Sequence, residues 1–354
     1  LLPEVATDLD VPISTAGYLI SAYALGVVIG APLLTALGTR LPRKTMLLVF
    51  MGVFLVGNLA TVLTSSYGAV FASRVLAGLP HGAYLGLAAL VAAHLAGPAR
   101  RATAVARVML GLTVANIVGV PAGTLLGQLL GWRVAFLVVV ALSALTILGV
   151  ARFVPHTPAS RVGGLRGELS ALRHPQVVLG LTTAVFGFAG VFAVYSYISP
   201  MMTELAGMPS AGVPIVLALF GVGMTLGSLV VGPIADRWLR PTIYVSLASL
   251  AGVLALFTLT VHNPWTAAVT VVVLGAVGFG VTAPLQVLVM SKAEAAPTIA
   301  SATNHSAFNL ANAGGAWLGG LGIGMGLGYV SPAVIGVVLA LVGGVLAAVA
   351  QFAV

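Results

Sequence analysis

Two residues that could carry a proton lie within one long apolar stretch of the chain. Arg74 and His81 stand seven residues apart in an apolar run from 70 to 96. On a helix this spacing is two turns, so a permanent cation and a titratable imidazole share one face. At 1.5 Å per residue, His81 lies about 16 Å from the start of the run. The spacing predicts a proton-coupling pair, or alternatively a histidine that only bonds a carbonyl freed by Pro80.

Other acid–base, nucleophilic or metal chemistry finds little support in the sequence. The chain has no cysteine, no H-E-x-x-H motif and only seven acidic residues, none of them deep in an apolar run. Paired carboxylates, a nucleophile with its base, or a metal-ligand set would be needed for an enzyme. We therefore expect no cofactor and no metal, and a polytopic membrane enzyme is the third alternative for function.

Polar side chains inside or beside the apolar runs could anchor a substrate. Ligand cavities are mostly apolar with a few polar groups that orient the ligand. The candidates are Tyr23, Asn58, Asn116, Tyr195, Tyr197, Gln286, Asn304, Asn309 and Asn312. Because few of the buried groups carry charge, we expect a small-molecule substrate that is neutral or weakly amphipathic.

Composition identifies the elements that must position these residues. The 354-residue chain is 60% hydrophobic and 6% charged, whereas an average soluble domain is about a quarter charged. About twenty apolar residues cross a bilayer as a helix. Eleven such runs occur, at 14–37, 45–64, 70–96, 105–129, 132–151, 177–199, 212–235, 241–261, 265–290, 299–327 and 331–353. They do not alternate as barrel strands do, so we predict an all-α polytopic protein embedded in a lipid bilayer.

Positive charge is confined to alternate loops between the runs. Thirteen of the fifteen basic residues lie on or beside these loops, whereas the opposite loops hold only Arg133. An excess of lysine and arginine marks the cytoplasmic side of a membrane protein. This topology accounts for the net charge of +8, and we expect no nucleic-acid partner.

An internal repeat divides the chain into two parallel halves. The segment "GPIADRWLRP" (232–241) has an earlier counterpart in "GAPLLTALGTRLPRKT" (30–45), about 197 residues upstream. Parallel repeats of this kind build many transporters. We predict a first half at 1–151, a cytoplasmic linker at 152–176 and a second half at 177–354. Two six-helix halves require twelve spans, so a first helix is expected ahead of residue 1.

The repeated segment carries charges of both signs at a helix end. Its residues are Gly232, Asp236, Arg237 and Arg240 in the second half, and Arg40, Arg43 and Lys44 in the first. Arginines can complement the negative end of a helix, and an aspartate can accept from the next helix or from a nearby cation. The pattern favours a gating latch that holds neighbouring helices in one state, and the alternative is a solvated turn that only sets topology.

The stretch 111–136 combines small residues with a helix-breaking proline. Gly111, Gly119 and Gly123 would let another backbone approach closely, and Pro121 would kink the helix. The kinked helix could seal the space between the halves against a proton leak. The alternative is that the glycines serve ordinary packing.

These motifs together resemble a known family, the major facilitator superfamily. The segments "RVLAGLPHG" (74–82), "GLTVANIVGVPAGTLLGQLLGWRVAF" (111–136) and "NHSAFNLANAGGAWLGG" (304–320) are similar to its drug:proton antiporter branch, which includes chloramphenicol-resistance and arabinose-efflux-type permeases. The resemblance implies a monomer in the bacterial cytoplasmic membrane. It implies export of a small compound in exchange for protons by alternating access. The alternative is a proton-coupled or facilitative importer of a sugar or metabolite.

Overall fold

The computed structural model describes residues 1–38, 41–97, 101–155, 175–282, 284–285, 287–288 and 297–352. All regular secondary structure in these residues is helical, which confirms the predicted all-α class. Nine of the described helical segments are long and apolar enough to cross a membrane. The two other predicted runs, 265–290 and 299–327, coincide with helices at Pro264–Gly280 and Pro297–Gly324.

In the part of the first half that the structure describes there are eight helices, two pairs of which act as single spans. They are α1 Leu2–Asp8, α2 Ile13–Gly38, α3 Arg43–Leu63, α4 Tyr67–Gly78, α5 His81–Ala96, α6 Arg101–Val114, α7 Val120–Leu130 and α8 Trp132–Phe153. Helices α4 and α5 are separated only by Leu79 and Pro80. A π-helical turn, Ala115–Gly119, joins α6 to α7.

Within the described residues, the second half contains six long helices. They are α9 Pro175–Tyr195, α10 Val213–Arg237, α11 Leu239–Thr260, α12 Pro264–Gly280, α13 Pro297–Gly324 and α14 Ser331–Phe352. Helix α10 reaches Arg237 and α11 begins at Leu239, so Trp238 is the only residue between them. The second-half copy of the charged segment therefore consists of two helix ends joined by one residue.

Glycines bring neighbouring helices into backbone contact in both halves. A β-carbon on Gly26 would meet the Val75 carbonyl of α4, and one on Gly30 would meet Leu79. The same contacts recur 197 residues later, where Gly223 faces Val272 and Gly227 faces Ala276. Small residues allow membrane helices to approach this closely. The repeat seen in the sequence is thus also a repeat of helix packing.

The two halves meet along two helix pairs. Helix α2 packs against α13, and the π-helical turn with α7 packs against α10. Across the first pair, the Ser21 hydroxyl donates to the Ala313 carbonyl at 2.9 Å. Across the second, the Gln128 amide donates to the Ser210 carbonyl at 2.9 Å. Ser210 and Gln128 lie at the helix ends opposite the basic loops, which we call the external end.

Single cysteines test this orientation in a chain without natural thiols. We expect a cysteine at Ser210 to react with a membrane-impermeant maleimide added outside intact cells, because the loop charges place this residue outside. A cysteine at Ser160, which lies outside the described residues, should react only after the membrane is permeabilised. The cysteine-free parent is the control, and labelling of both positions in intact cells would contradict the orientation.

Candidate functional site

Four polar side chains from four helices of the first half meet inside the membrane-crossing part of the protein. The Tyr23 hydroxyl and His81 Nδ1 are 2.8 Å apart. Arg74 Nη1 donates to Asn58 Oδ1 at 3.0 Å, and the guanidinium lies 4.5 Å from the centre of the Tyr23 ring. We call Tyr23, Asn58, Arg74 and His81 the first-half polar cluster.

Local structure explains how the helices present these groups. Gly78 lacks a β-carbon that would overlap the Tyr23 carbonyl, so α2 and α4 lie close enough for the Tyr23 ring to cover Arg74. The Asn58 amide nitrogen donates to the Phe54 carbonyl at 2.8 Å, one turn back on α3. This bond leaves the amide oxygen to accept from Arg74. Asn58 is therefore held by its own helix as well as by Arg74.

Aromatic faces enclose the Arg74 guanidinium. Tyr23 covers it at 4.5 Å and Phe136 of α8 at 4.9 Å. A desolvated cation gains about 2 kcal/mol from such a face. Among the described side chains no carboxylate forms an ion pair with Arg74. The described acids, Glu4, Asp8, Asp10 and Glu204, all lie towards the external end.

Neither Glu168 nor Glu294 belongs to the described residues, and the side chain of Asp236 is also undescribed. Among the described side chains of the membrane interior, His81 is the imidazole that contacts another polar group, the Tyr23 hydroxyl at 2.8 Å. Intramembrane ionisable groups of this kind mark ion and proton paths. The predicted stripe of Arg74 and His81 is thus extended by a phenol on α2 and an amide on α3.

The internal repeat shows that the fold does not need a polar cluster here. Residues 197 positions later occupy the corresponding places in the second half, and they are Phe220, Ala255, Val271 and Gly278. All four are apolar, and Phe220 and Val271 belong to the hydrophobic core. The same helix packing is built there without a buried charge. The cluster is therefore a feature of the first half alone.

One predicted substrate anchor, Tyr197, lies in the contact between the two halves. Tyr197 is fully buried, and its hydroxyl donates to the Ala316 carbonyl at 2.9 Å. Its ring lies where a β-carbon on Gly17 or Gly320 would be. Tyr197 therefore fills the contact between the two halves, and its role as a substrate anchor stays a prediction.

The other predicted anchors are distributed over both halves. Tyr195 is half-buried and stacks on Phe220 with ring centres 4.6 Å apart. The Asn116 amide donates to its own helix at the Leu112 carbonyl, 2.8 Å away. Asn312 Oδ1 is buried and accepts no hydrogen bond from any described residue. Asn309 lies one turn before Asn312 on α13 and is half-buried. Gln286 and the side chain of Asn304 lie outside the described part.

In the predicted antiporter-type helix, a π-helical turn at Ala115–Gly119 directly precedes the segment that contains Pro121. This helix does approach the second half closely, but the glycine that allows the approach belongs to α10 of the second half. A β-carbon on Gly221 would be 2.8 Å from the Asn116 carbonyl oxygen. In contrast, β-carbons on Gly111 and Gly123 would meet nothing within 4 Å, and one on Gly119 only Ala115. The expected packing stripe of Gly111, Gly119 and Gly123 is therefore replaced by Gly221.

Charges of the proposed latch make separate contacts in the described residues. The Lys44 ammonium donates to the Ala151 carbonyl at 2.7 Å, which ties α3 to the end of α8. Arg237 lies in the last turn of α10, where its charge complements the helix end. Arg237 and Arg240 are exposed, Gly232 is half-buried, and Arg43 Nε is buried without a described partner. Arg40 and the Asp236 side chain lie outside the described part, so the latch stays a prediction.

Sequence reasoning missed an ionic contact at the external end. Arg133 pairs with Asp8 and also donates to the Thr64 carbonyl at 3.1 Å. Its guanidinium lies 4.4 Å from the centre of the Trp132 ring. Arg133 thereby joins α1, α3 and α8. The available signal was its isolation as the single basic residue of the external loops, on the side that also holds the acidic residues Glu4, Asp8 and Asp10.

A membrane-crossing helical protein with two repeated halves and a buried ionisable cluster belongs to the class of small-molecule transporters. The chain is a member of the Major Facilitator Superfamily, whose family pattern matches residues 1–316. This establishes the family that the sequence motifs resembled, and it points to a transporter instead of an enzyme.

Similar proteins come from several bacteria. The chain is 39% identical over 340 residues to the inner membrane transport protein YdhP of Escherichia coli (strain K12), covering 96% of this chain and 87% of that protein. It is 34% identical over 339 residues to a chloramphenicol resistance protein of Streptomyces lividans, covering 94% and 86%. The crystal structure of a mutant of the nucleoside transporter NupG shares the fold, with a TM-score of 0.78, 16% identity and coverage of 99% and 93%.

Proposed function

We propose that the protein is a secondary active exporter of the bacterial cytoplasmic membrane, active as a monomer. It releases a small neutral or amphipathic hydrophobic compound in exchange for protons by alternating access. The observation that carries the proposal is the first-half polar cluster, a hydrogen-bonded histidine beside a buried cation at positions that are apolar in the other half. The resemblance to a chloramphenicol resistance protein supports export.

In this mechanism His81 exchanges the proton, and Tyr23 and Arg74 govern when it does so. A charged imidazole and the Arg74 cation repel each other in a medium of low dielectric constant. Protonation of His81 therefore disturbs the contacts that hold α2, α4 and α5 together. That disturbance is the means by which a proton entering from outside can bias the halves toward another state. The substrate binds between the halves, where Asn312, Asn309 and Tyr195 are candidate anchors.

Purified protein in vesicles tests direction and coupling together. We expect uptake of labelled chloramphenicol into vesicles with an acidic interior when the cytoplasmic end faces the bath, because outward proton flow then drives the exchange. Labelled arabinose tests the sugar importer with the gradient reversed, because a symporter would then carry sugar and protons into the vesicles together. Vesicles without protein, and vesicles whose gradient is collapsed by an ionophore, are the controls.

Accumulation only when substrate and protons move in the same direction would favour the importer. Failure of both compounds to move in either direction would contradict the proposed substrate range.

A further inference from the structure

The Tyr197 side chain lies at a junction of three helices near the external end. It follows α9 in the turn that leads to a short helix, Ile198–Pro200. Its side chain is fully buried, and its hydroxyl donates to the Ala316 carbonyl of α13 at 2.9 Å. The backbone of Tyr197 belongs to the second half, and its hydroxyl is hydrogen-bonded to the same half. The phenol ring therefore moves with the second half.

In the first half, the residue that contacts the Tyr197 phenol is Gly17 of α2. A β-carbon on Gly17 would overlap the phenol oxygen and lie 2.6 Å from Tyr197 Cζ. A carbon–carbon contact needs about 3.5–4.0 Å, so only glycine fits against the ring. Gly320 of α13 makes the equivalent accommodation on the other side. The phenol is therefore clamped between one glycine from each half.

Neighbouring contacts place this junction on the seam between the halves. Ser14 lies one turn before Gly17, and its carbonyl oxygen would be 3.1 Å from a β-carbon on Gly320. Ser21, one turn after Gly17, donates to Ala313 at 2.9 Å. These contacts follow α2 and α13 side by side from the external end toward the middle. Any separation of the halves at this end must lift Gly17 away from the phenol.

We propose that the contact of the Tyr197 phenol with Gly17 is the steric seal that sets how firmly the external ends of the two halves close. Tyr197 acts as a positioning residue and does not touch the substrate. The inference rests on the alternating access of the proposed function, but on neither the direction of transport nor the proton. A bulkier residue at 17 cannot push the phenol aside, since the Ala316 hydrogen bond and full burial hold it. It must instead force the halves apart.

A disulfide across the seam can report the closed state. A β-carbon added to Gly324 of α13 would lie 3.5 Å from the Ser14 β-carbon. The β-carbons of a disulfide lie about 3.5–4.5 Å apart, so this pair of positions suits a crosslink. The double variant Ser14→Cys, Gly324→Cys introduces this pair into a chain without cysteine. We expect rapid crosslinking under mild oxidation, complete loss of substrate exchange, and recovery after addition of a reductant.

The rate of this crosslinking then reports how often the external ends of the two halves are closed. With Gly17→Ala added, we expect the rate to fall at least about tenfold, which corresponds to about 1.4 kcal/mol of lost closure. Further addition of Tyr197→Leu shortens the side chain and should restore the rate, because the methyl group gains the space of the phenol. Gly26→Ala is the matched control, since its clash with the Val75 carbonyl lies within the first half. That variant should lower the yield of folded protein and leave the crosslinking rate unchanged.

The outcomes separate this inference from the proposed function. If the crosslinked protein still exchanges substrate, alternating access itself is wrong. If crosslinking stops exchange but Gly17→Ala leaves the rate unchanged, the seal is overturned and alternating access stands. A slow parent pair, or a Gly17→Ala effect that Tyr197→Leu does not reverse, also overturns the seal, since the effect would then not pass through the phenol.

Discussion

Replacing His81 with glutamine is expected to abolish proton-driven accumulation of substrate and to leave energy-independent exchange largely intact. Glutamine can still bond the Tyr23 hydroxyl, which lies 2.8 Å from the imidazole, but it cannot take up a proton at physiological pH. Exchange of labelled for unlabelled substrate needs only the cavity and the motion of the halves. Uphill transport also needs the proton.

The measurement is paired uptake and exchange by the same vesicles across a pH series. Tyr23→Phe is the matched variant, because it keeps the ring over Arg74 at 4.5 Å and removes only the hydroxyl. We expect it to retain coupling with an altered pH dependence. If His81→Gln continues to concentrate substrate in a pH-dependent manner, the proton passes through another group and the coupling role of His81 is wrong.

Gly227→Ala is expected to lower the thermal stability of the protein strongly. A β-carbon at this position would overlap the Ala276 carbonyl oxygen and lie 2.6 Å from Ala276 Cα. The obstacle is backbone and cannot rotate away, so α10 and α12 must separate. Overpacking of this severity costs about 3 kcal/mol, and we expect the melting temperature in detergent to fall by about 4 °C for a chain of this length.

The control for this substitution is Gly252→Ala in the neighbouring helix α11. Its β-carbon would meet nothing within 4 Å, and the residue is exposed. The same gain of a methyl group should therefore leave the melting temperature unchanged. Equal stabilities of the two variants would show that the α10–α12 contact is looser than the structure indicates.

Several features of the candidate site could be predicted from local sequence. Arg74 and His81 were paired from their spacing, because two turns of a helix bring residues seven apart onto one face. Tyr23 and Asn58 were also selected, as polar groups in apolar runs. Their contacts could not be predicted, since a sequence does not show that α2 and α3 place them against Arg74. The contact depends on the glycine packing between Gly78 and Tyr23.

Tyr197 and Gly221 show the opposite case. A tyrosine near the end of an apolar run is equally compatible with a cavity residue and with a packing residue. Only the structure shows that the Tyr197 ring packs between Gly17 and Gly320. The glycine stripe at 111–123 predicted a close approach on the correct helix. The structure assigns that approach to Gly221, because close packing is a property of a pair of helices and not of one.

The sequence by itself determined the helical class, the membrane spans, the distribution of basic loops and the internal repeat. These depend on hydropathy, periodicity and charge along the chain, which are local quantities. Only the tertiary structure decided which polar groups meet in the first-half polar cluster, and where the halves close around Tyr197. Those contacts join residues 58 and 180 positions apart. No local pattern encodes the distance between two such residues, because it is set by the packing of the helices that lie between them.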